Sequence, residues 1–456
     1  MGEKGSFTQG KILSPLIKFA LPVLLALFLQ SMYGAVDLMV VGQFGTPSDV
    51  SAVSTGSQIL LTFTSLVASF ASGATILLAQ QIGGGEGKNG SKTVGACLML
   101  FFLFGLFFTI AVPLGAPLFS EIMQAPKEAF ELTTSYVRIC GGGILVIIAY
   151  NLIGSIFRGI GDSKTPLLSV AIACAFNIGG DLFFVAVLDM GTKGAAIATV
   201  LAQLLSVVIS LLIIRKKRLP FTFGREYIRL DKEILKRVTK LGLPIALQDL
   251  LVGLSFLIIQ AIVNSLGLIP SAGVGAAEKV CAFIMLVPAA FMQSMSAFVA
   301  QNVGAKKYER ADKALLYGIL ISFAIGIVMF YLNFFHGDLL TGIFTKDTQV
   351  ILAGADYLKA YAIDCLLTAF LFCFLGYYNG MGMTRFVMIQ GIIGAFGVRV
   401  PVSYLMSRIE PVSLFHIALA TPCSTVVQIT MCMICIIIVR RKRKKHTIAV
   451  NTNEPI

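Results

Sequence analysis

Two stretches decide how this chain is read: "LAQQIGGGEGK" at 78–88 and "VAQNVGAKKYE" at 299–309. Aligned, they put Gln80 on Gln301 and Gly83 on Gly304, an offset of 221. Working outward, "TSYVRI" (134–139) falls on "ADYLKA" (355–360) at that offset. "IFRGIGDSKTP" (156–166) falls on "YYNGMGMTRFV" (377–387), with Gly159 on Gly380 and Gly161 on Gly382. "FALPVLLALF" from Phe19 and "LGLPIALQDL" from Leu241 place Pro22 on Pro244 at an offset of 222. Anchors that hold one offset to within a residue along the whole chain mark an internal duplication.

Composition says what is duplicated. The 456 residues are 57% hydrophobic and 13% charged, where a soluble protein carries about 25% charged residues. Mean hydropathy is +0.87. A spanning helix needs about 20 apolar residues, and Ile12–Val41, Thr93–Leu118, Pro166–Leu188, Gly194–Ile214, Leu315–Phe335 and Leu414–Val439 all qualify. A transmembrane barrel would show alternating strands of roughly ten residues, and these runs do not alternate. The first run is expected to persist as a span rather than be removed as a signal peptide. It is long, no A-x-A-like site ends it, and it carries Asp37.

The expected fold is therefore all-α and polytopic, with about twelve transmembrane helices in two six-helix lobes. The first-half spans fall near 12–40, 52–82, 93–116, 130–157, 166–188 and 194–214. The second-half spans fall near 240–265, 275–303, 312–334, 350–379, 386–407 and 414–438. An even number per half makes the repeats parallel, related by a pseudo-two-fold along the membrane normal. The organisation reads as an N-terminal lobe (1–218), a basic linker (219–239), a C-terminal lobe (240–439) and a basic tail (440–456).

The net charge of +13 is concentrated in a few places: 215–240, Lys306, Lys307, Arg310 and Lys313, and "RRKRKK" at 440–445. Loop 42–50 is nearly free of such residues. This is the positive-inside bias. It places both termini and the linker in the cytoplasm, in a bacterial plasma membrane, and excludes nucleic acid as a partner. The lipid bilayer is the expected partner, and a monomer the expected state. Cys432 and Cys435 form a C-x-x-C inside an apolar span with no second pair, and read as packing. The three histidines, at 336, 416 and 446, form no metal or triad pattern, so enzyme chemistry and a cofactor are not expected.

Polar residues inside the spans carry the functional signal. Ser51, Thr55, Gln58, Thr62, Ser65, Ser69 and Ser72 share one helical face. Such a stripe fits either a cavity lining or packing between membrane helices. Thr199, Gln203, Ser206 and Ser210 repeat the pattern in the sixth span. The first span aligns Gln30, Gly34 and Asp37, with Tyr33 beside them, and the fifth aligns Asn177 and Asp181. Tyr357, Tyr361, Asp364 and Thr368 form a line in the tenth.

An Asp at a helix centre costs about 2.5–3.5 kcal/mol on insertion scales and commonly marks an ion or proton path. For Asp37 and Asp181 a cation or proton site competes with a structural ion pair and with simple interface exposure. Neither span holds a Lys or Arg near the acid to pair with it. Asp364 has Lys359 nearby, and Asp249 lies near a helix start. Two close carboxylates, with the Asn177 carbonyl and the Thr199 hydroxyl, suit H⁺ or Na⁺ equally. The second-half positions offset by 221 from Asn177 and Asp181 are Val398 and Val402. The acid occurs once although the scaffold occurs twice.

The chain resembles the multidrug and toxic compound extrusion (MATE) family over nearly its whole length. The resemblance rests on Pro22 with Asp37 and "VGQFG" (41–45), "AQQIG" (79–83), "FRGIGDSKTP" (157–166), "AQNVG" (300–304) and "RVP" (399–401). It implies a two-lobe, twelve-helix antiporter, exporting organic cations, drugs or other xenobiotics in exchange for Na⁺ or H⁺ by alternating access. Within the family it is most similar to the DinF-like bacterial branch. That implies a cation site at Asp37, Asn177, Asp181 and Thr199, which would be the place for Na⁺.

The acid of the NorM-like branch in span seven has no counterpart in "LLVGLSFLI" (250–258), and Asp364 lies about one turn from that branch's span-ten aspartate. Gly154 stands where the DinF-like branch often has an asparagine, with Asn151 a turn away. The expected substrate cavity draws on Gln30, Tyr33, Gln58, Thr62, Asn151, Gln203, Tyr361 and Asp364. A flippase for lipid-linked sugars is the alternative. It would call for a basic cavity, and the candidates Arg138 and Arg158 both read as helix-end residues. A receptor or assembly factor is disfavoured, because no soluble segment exceeds about 25 residues.

Overall fold

The computed structural model describes residues 7–217 and 219–452, with side chains described as far as Arg443. The expected basic tail therefore lies partly outside the described residues. Among those described, the chain is helical, with no strand. In the first half α1 spans Leu13–Phe44, α2 Pro47–Gly83, α3 Gly87–Ile122, α4 Phe130–Gly142, α5 Ile144–Gly159, α6 Lys164–Asp181 and α7 Gly191–Lys216. In the second, α8 spans Lys232–Asn264, α9 Leu268–Ile284, α10 Leu286–Gly304, α11 Tyr308–Phe335, α12 Gly337–Gly342, α13 Thr348–Gly380, α14 Thr384–Ile392, α15 Val400–Met406, α16 Leu414–Ala418 and α17 Ala420–Thr452.

Eleven helices are long and apolar enough to cross a membrane, and twelve if α4 and α5, bent by 54° at Gly143, count as one. The outward side chains suit lipid: Phe107, Ile110, Leu114 and Leu118 of α3 are all exposed. The chain is an all-α polytopic membrane protein.

The duplication is visible in the element bounds. The start of α2 at Pro47 and its end at Gly83 recur, 221 residues on, as the start of α9 and the end of α10. Gly87 and Tyr308 open α3 and α11 at the same offset, and α5 and α13 both end on paired glycines, Gly159 and Gly380. Both repeats also carry a π-helical turn, Leu182–Val187 after α6 and Ile393–Arg399 after α14. The copies are not identical. The first breaks its fourth span and keeps its second whole, whereas the second keeps its fourth whole as α13.

Local sequence accounts for the ends. Thr46 caps α2: its Oγ1 accepts from Asp49 N, and the Asp49 carboxylate accepts from Thr46 N. This reciprocal box satisfies two orphan donors, and Pro47 supplies the pre-set φ of a first turn. Asp49 also accepts from Thr192 N at 3.0 Å and Thr192 Oγ1 at 2.6 Å, tying the start of α2 to the start of α7.

The linker is more ordered than hydropathy suggests. α8 begins at Lys232 rather than near 240, because its first turns are amphipathic: Ile234 and Val238 are buried in the first-half core while the lysines and arginines face out. Phe221 packs on Leu78 and Val94, and Ser91 Oγ donates to Thr222 O at 2.6 Å.

The chain forms two compact units. One comprises Met1–Leu250, Ala289–Tyr317 and Gly376–Arg385, the other Leu251–Pro288, Gly318–Leu375 and Phe386–Ile456. The first contains a reciprocal contact between the repeats. Gln80 Nε2 donates to Gly380 O at 3.0 Å, and Gln301 Nε2 donates to Gly159 O at 3.1 Å. A Cβ added at Gly83 would stand 1.9 Å from Gln301 O, and one at Gly304 1.8 Å from Gln80 O. Only glycine lets these backbones approach so closely. In the second unit, Ile259, Val263, Val274, Ala277, Tyr357 and Leu358 lie in a continuous apolar core.

Candidate functional site

Asp37 sits two turns from the end of α1, Asn177 and Asp181 in the last turn and a half of α6, and Thr199 about two turns into α7. α6 packs along both α1 and α7, which brings the four residues to one place. Gly180 makes that approach close: a Cβ there would lie 3.1 Å from Ala198 Cβ. Directly after Asp181 the helix widens into its π-helical turn. Such turns add a residue to the helix and often accompany functional sites.

Asp37 is 2% exposed, and Asp181 and Asn177 are fully buried. Asp181, Thr199 and Asn177 all face the Asp37 carboxyl, and Thr199 Oγ1 lies 3.0 Å from Asp37 Oδ2. Beyond that bond the polar atoms are unsatisfied. Asp37 Oδ1, both Asn177 side-chain atoms and both Asp181 oxygens have no hydrogen-bond partner among the described residues.

No ammonium or guanidinium offsets the acids, because among the described residues the ion pair found is Lys217–Asp162. Unpaired buried carboxylates are costly. A bound proton or a hard cation would relieve that cost at once, and the oxygen set offers both options. No group of three or more His, Cys, Asp or Glu among the described residues is placed to hold a metal ion, so the arrangement does not resemble a site for a transition metal.

Tyr136 of α4 is a neighbour that sequence reasoning missed. It is 1% exposed and borders Thr199 and both acids. Its ring fills space left by Gly56 of α2, where a Cβ would come within 2.5 Å of Tyr136 Cδ1. The available signal was its place in "TSYVRI", opposite Tyr357 in the repeat.

The other expected residues do not join this cluster. Gln30 donates to Tyr150 Oη and, with Asn151, lines a separate cavity of about 100 Å³ in the same unit. Tyr33 donates to Val170 O at 3.3 Å. Gln58 and Thr62 are exposed on α2, the Thr62 hydroxyl turning back to Gln58 O at 3.0 Å. Gln203 Oε1 is buried without a partner.

Tyr361 and Asp364 are buried in the second unit. The cation facing Asp364 is Arg399 rather than Lys359, and Thr425 also faces it. Arg399 donates to Ser255 Oγ at 3.2 Å and lies 4.3 Å from the Phe256 ring centroid.

Comparison with known proteins agrees with this architecture. The MatE family model matches twice, over residues 22–183 and 244–405, once in each repeat. The chain is 25% identical over 431 residues to the probable multidrug resistance protein YoeA of Bacillus subtilis (strain 168), covering 91% of each chain. It is 27% identical over 402 residues to the probable multidrug resistance protein YpnP of the same organism, covering 88% of this chain and 90% of that one. Among solved structures, an outward-facing conformation of a multidrug resistance MATE family transporter of the MOP superfamily has the same fold. Its TM-score is 0.89 at 20% identity, over 97% of this chain and 98% of that one.

Proposed function

Since this chain belongs to the MatE family, whose members are transporters and not enzymes, we propose that it exports small organic cations, drugs or toxins in exchange for H⁺ or Na⁺. The multidrug-resistance names of its relatives support the substrate class. The observation that carries the coupling is the buried, base-free group of Asp37, Asn177, Asp181 and Thr199, with its unsatisfied oxygens.

In this reading the two repeats act as lobes, 1–218 and 240–439, that expose a central path to one side at a time. A proton or Na⁺ entering between Asp37 and Asp181 removes the unpaired charge and favours one state, and the substrate favours the other. Each ligand moves the equilibrium only by its difference in affinity between the states. The exposed polar face of α2, with Gln58 and Thr62, and the half-buried Gln203 are suited to line the path. The basic residues of the linker and of the 306–313 segment assign both termini to the cytoplasm.

The test is efflux of a fluorescent organic cation from proteoliposomes under a Na⁺ gradient and, separately, a proton gradient. Asp181→Asn should lose the coupled component, and unchanged coupled transport in that variant would overturn the cation site. One observation favours the flippase reading: Arg158 lines a cavity rather than ending a solvated helix. Translocation of a lipid-linked sugar without drug efflux would establish that alternative.

A further inference from the structure

The cavity that Gln30 and Asn151 line has a chemistry opposite to that of the acid pair. Its polar wall includes Gln30, Tyr150, Asn151, Arg158, Ser163 and Gln293, and neither Asp nor Glu lines it. Arg158 is in the last turn of α5. Its guanidinium donates to Ser155 Oγ at 2.9 Å, and no carboxylate pairs with it among the described residues. The nearest acid in sequence, Asp162, is taken by Lys217 and Thr165. Gly154 leaves the guanidinium its room, because a Cβ there would lie 3.3 Å from Nη1. Gln30 Nε2 donates to Tyr150 Oη, which leaves the Tyr150 hydroxyl proton directed elsewhere.

We propose that this cavity is an anion site, in which Arg158 holds a halide, or the carboxylate or phosphate group of a larger molecule. A guanidinium has five donors in a planar fork matched to oxyanions, and here one of them is seen to be used within the protein. Holding it half-buried without a counter-charge is costly, and a bound anion would offset that cost. The amides and hydroxyls around it complete the shell of an anion, whereas a cation would meet the guanidinium and no acid. The volume of about 100 Å³ holds an ion or a headgroup rather than a single water. Neither Asp37 nor Asp181 lines the cavity, so the inference does not rest on the proposed cation exchange.

The anion's source is either soluble or a lipid headgroup, and the experiment separates them. Full-length protein is placed in phosphatidylcholine nanodiscs and treated with phenylglyoxal. Modification of Arg158 is followed by peptide mass spectrometry against exposed Arg225 as the internal control. Chloride or inorganic phosphate at constant ionic strength should slow Arg158 modification severalfold and leave Arg225 unchanged if the source is soluble. Phosphatidylglycerol in the disc should do so, without added anion, if the source is lipid. Either result supports the site.

The effective anion should also raise the thermal midpoint of the wild type and of Arg158→Lys, but not that of Arg158→Gln. Equal modification rates in every medium would overturn the proposal, even if R158Q fails to fold. So would a full anion-dependent thermal shift in R158Q.

Discussion

Under the proposed exchange, Asp37 and Asp181 set function against stability within a few atoms. Their carboxylates are buried and largely unpaired, and a neutral amide of the same shape would relieve that penalty. Asp181→Asn is therefore expected to raise the thermal midpoint while reducing ion-coupled efflux by about 5–150-fold, the usual range for a coupling free energy. Thermal unfolding and proteoliposome transport on one preparation check both halves.

Asp162, in the loop between α5 and α6, behaves in the opposite way. Burial alone would push its carboxyl up, but hydrogen bonds from Lys217 and Thr165 outweigh that and hold it below the usual carboxylate range. Its stabilisation is complete above the unfolded value of about 3.9 and fades as pH falls through the lower folded value. Asp162→Ala should cost about 1 kcal/mol at neutral pH. The gap from wild type should close on acidification, read as thermal midpoints across a pH series.

At this scale the acids were legible because a carboxylate in an apolar run stands out against its surroundings. Tyr136 was not, because an aromatic in a membrane helix reads as core. Arg158 does end a helix, as its sequence position implies, but sequence gives no sign of the cavity beside it.

Among the elements, the crossing of α2 with α10 is the tightest contact the duplication predicts. Gly83 and Gly304 each lie against the backbone of the other repeat, with under 2 Å for any added Cβ. Gly83→Val or Gly304→Val must push main chain apart. Each is expected to lose more than the roughly 1–3 kcal/mol of ordinary overpacking, with a matching fall in thermal midpoint and in folded yield.

Helix number and order were readable from hydropathy, and the offset of 221 paired the glycines that end α2 with α10 and α5 with α13, while the expected starts near 52, 275 and 350 fall two to seven residues inside the helices that begin at Pro47, Leu268 and Thr348. Three features escaped. The amphipathic start of α8 has too much charge for a hydropathy window. The π-helical turns have no compositional mark. The 54° break at Gly143 sits among three glycines, any of which could have broken the span.

For the molecule as a whole, the duplication and the membrane explain most of the sequence: where it is apolar, where it is basic, and why its polar residues fall in stripes. The proposed topology, with both chain ends in the cytoplasm, rests on the positive-inside bias. A green fluorescent protein fused after Ile456 should fluoresce, and alkaline phosphatase fused at the same point should be inactive. The reverse pattern would invert the assigned topology. Family membership follows from both repeats. For the proposed exchange, two carboxylates, an amide and a hydroxyl satisfy a proton and Na⁺ with the same atoms, so sequence does not choose between the two ions.

The reciprocal bonds of Gln80 and Gln301 have an evolutionary reading. Gln80 reaches Gly380, and Gln301 reaches Gly159, so each partner is the other's counterpart 221 residues away. That is the signature of an isologous interface, the self-complementary contact by which two copies of one subunit pair about a two-fold axis. The handshake would work equally well between separate polypeptides, and covalent continuity through 217–231 is then a convenience rather than a requirement. Cutting the gene between Arg225 and Asp231 and co-expressing the two fragments should give a complex that co-purifies in detergent, and Gln80→Leu with Gln301→Leu should weaken that association. The present single chain would then preserve, at its glycine crossing, the seam along which an ancestral pair was fused.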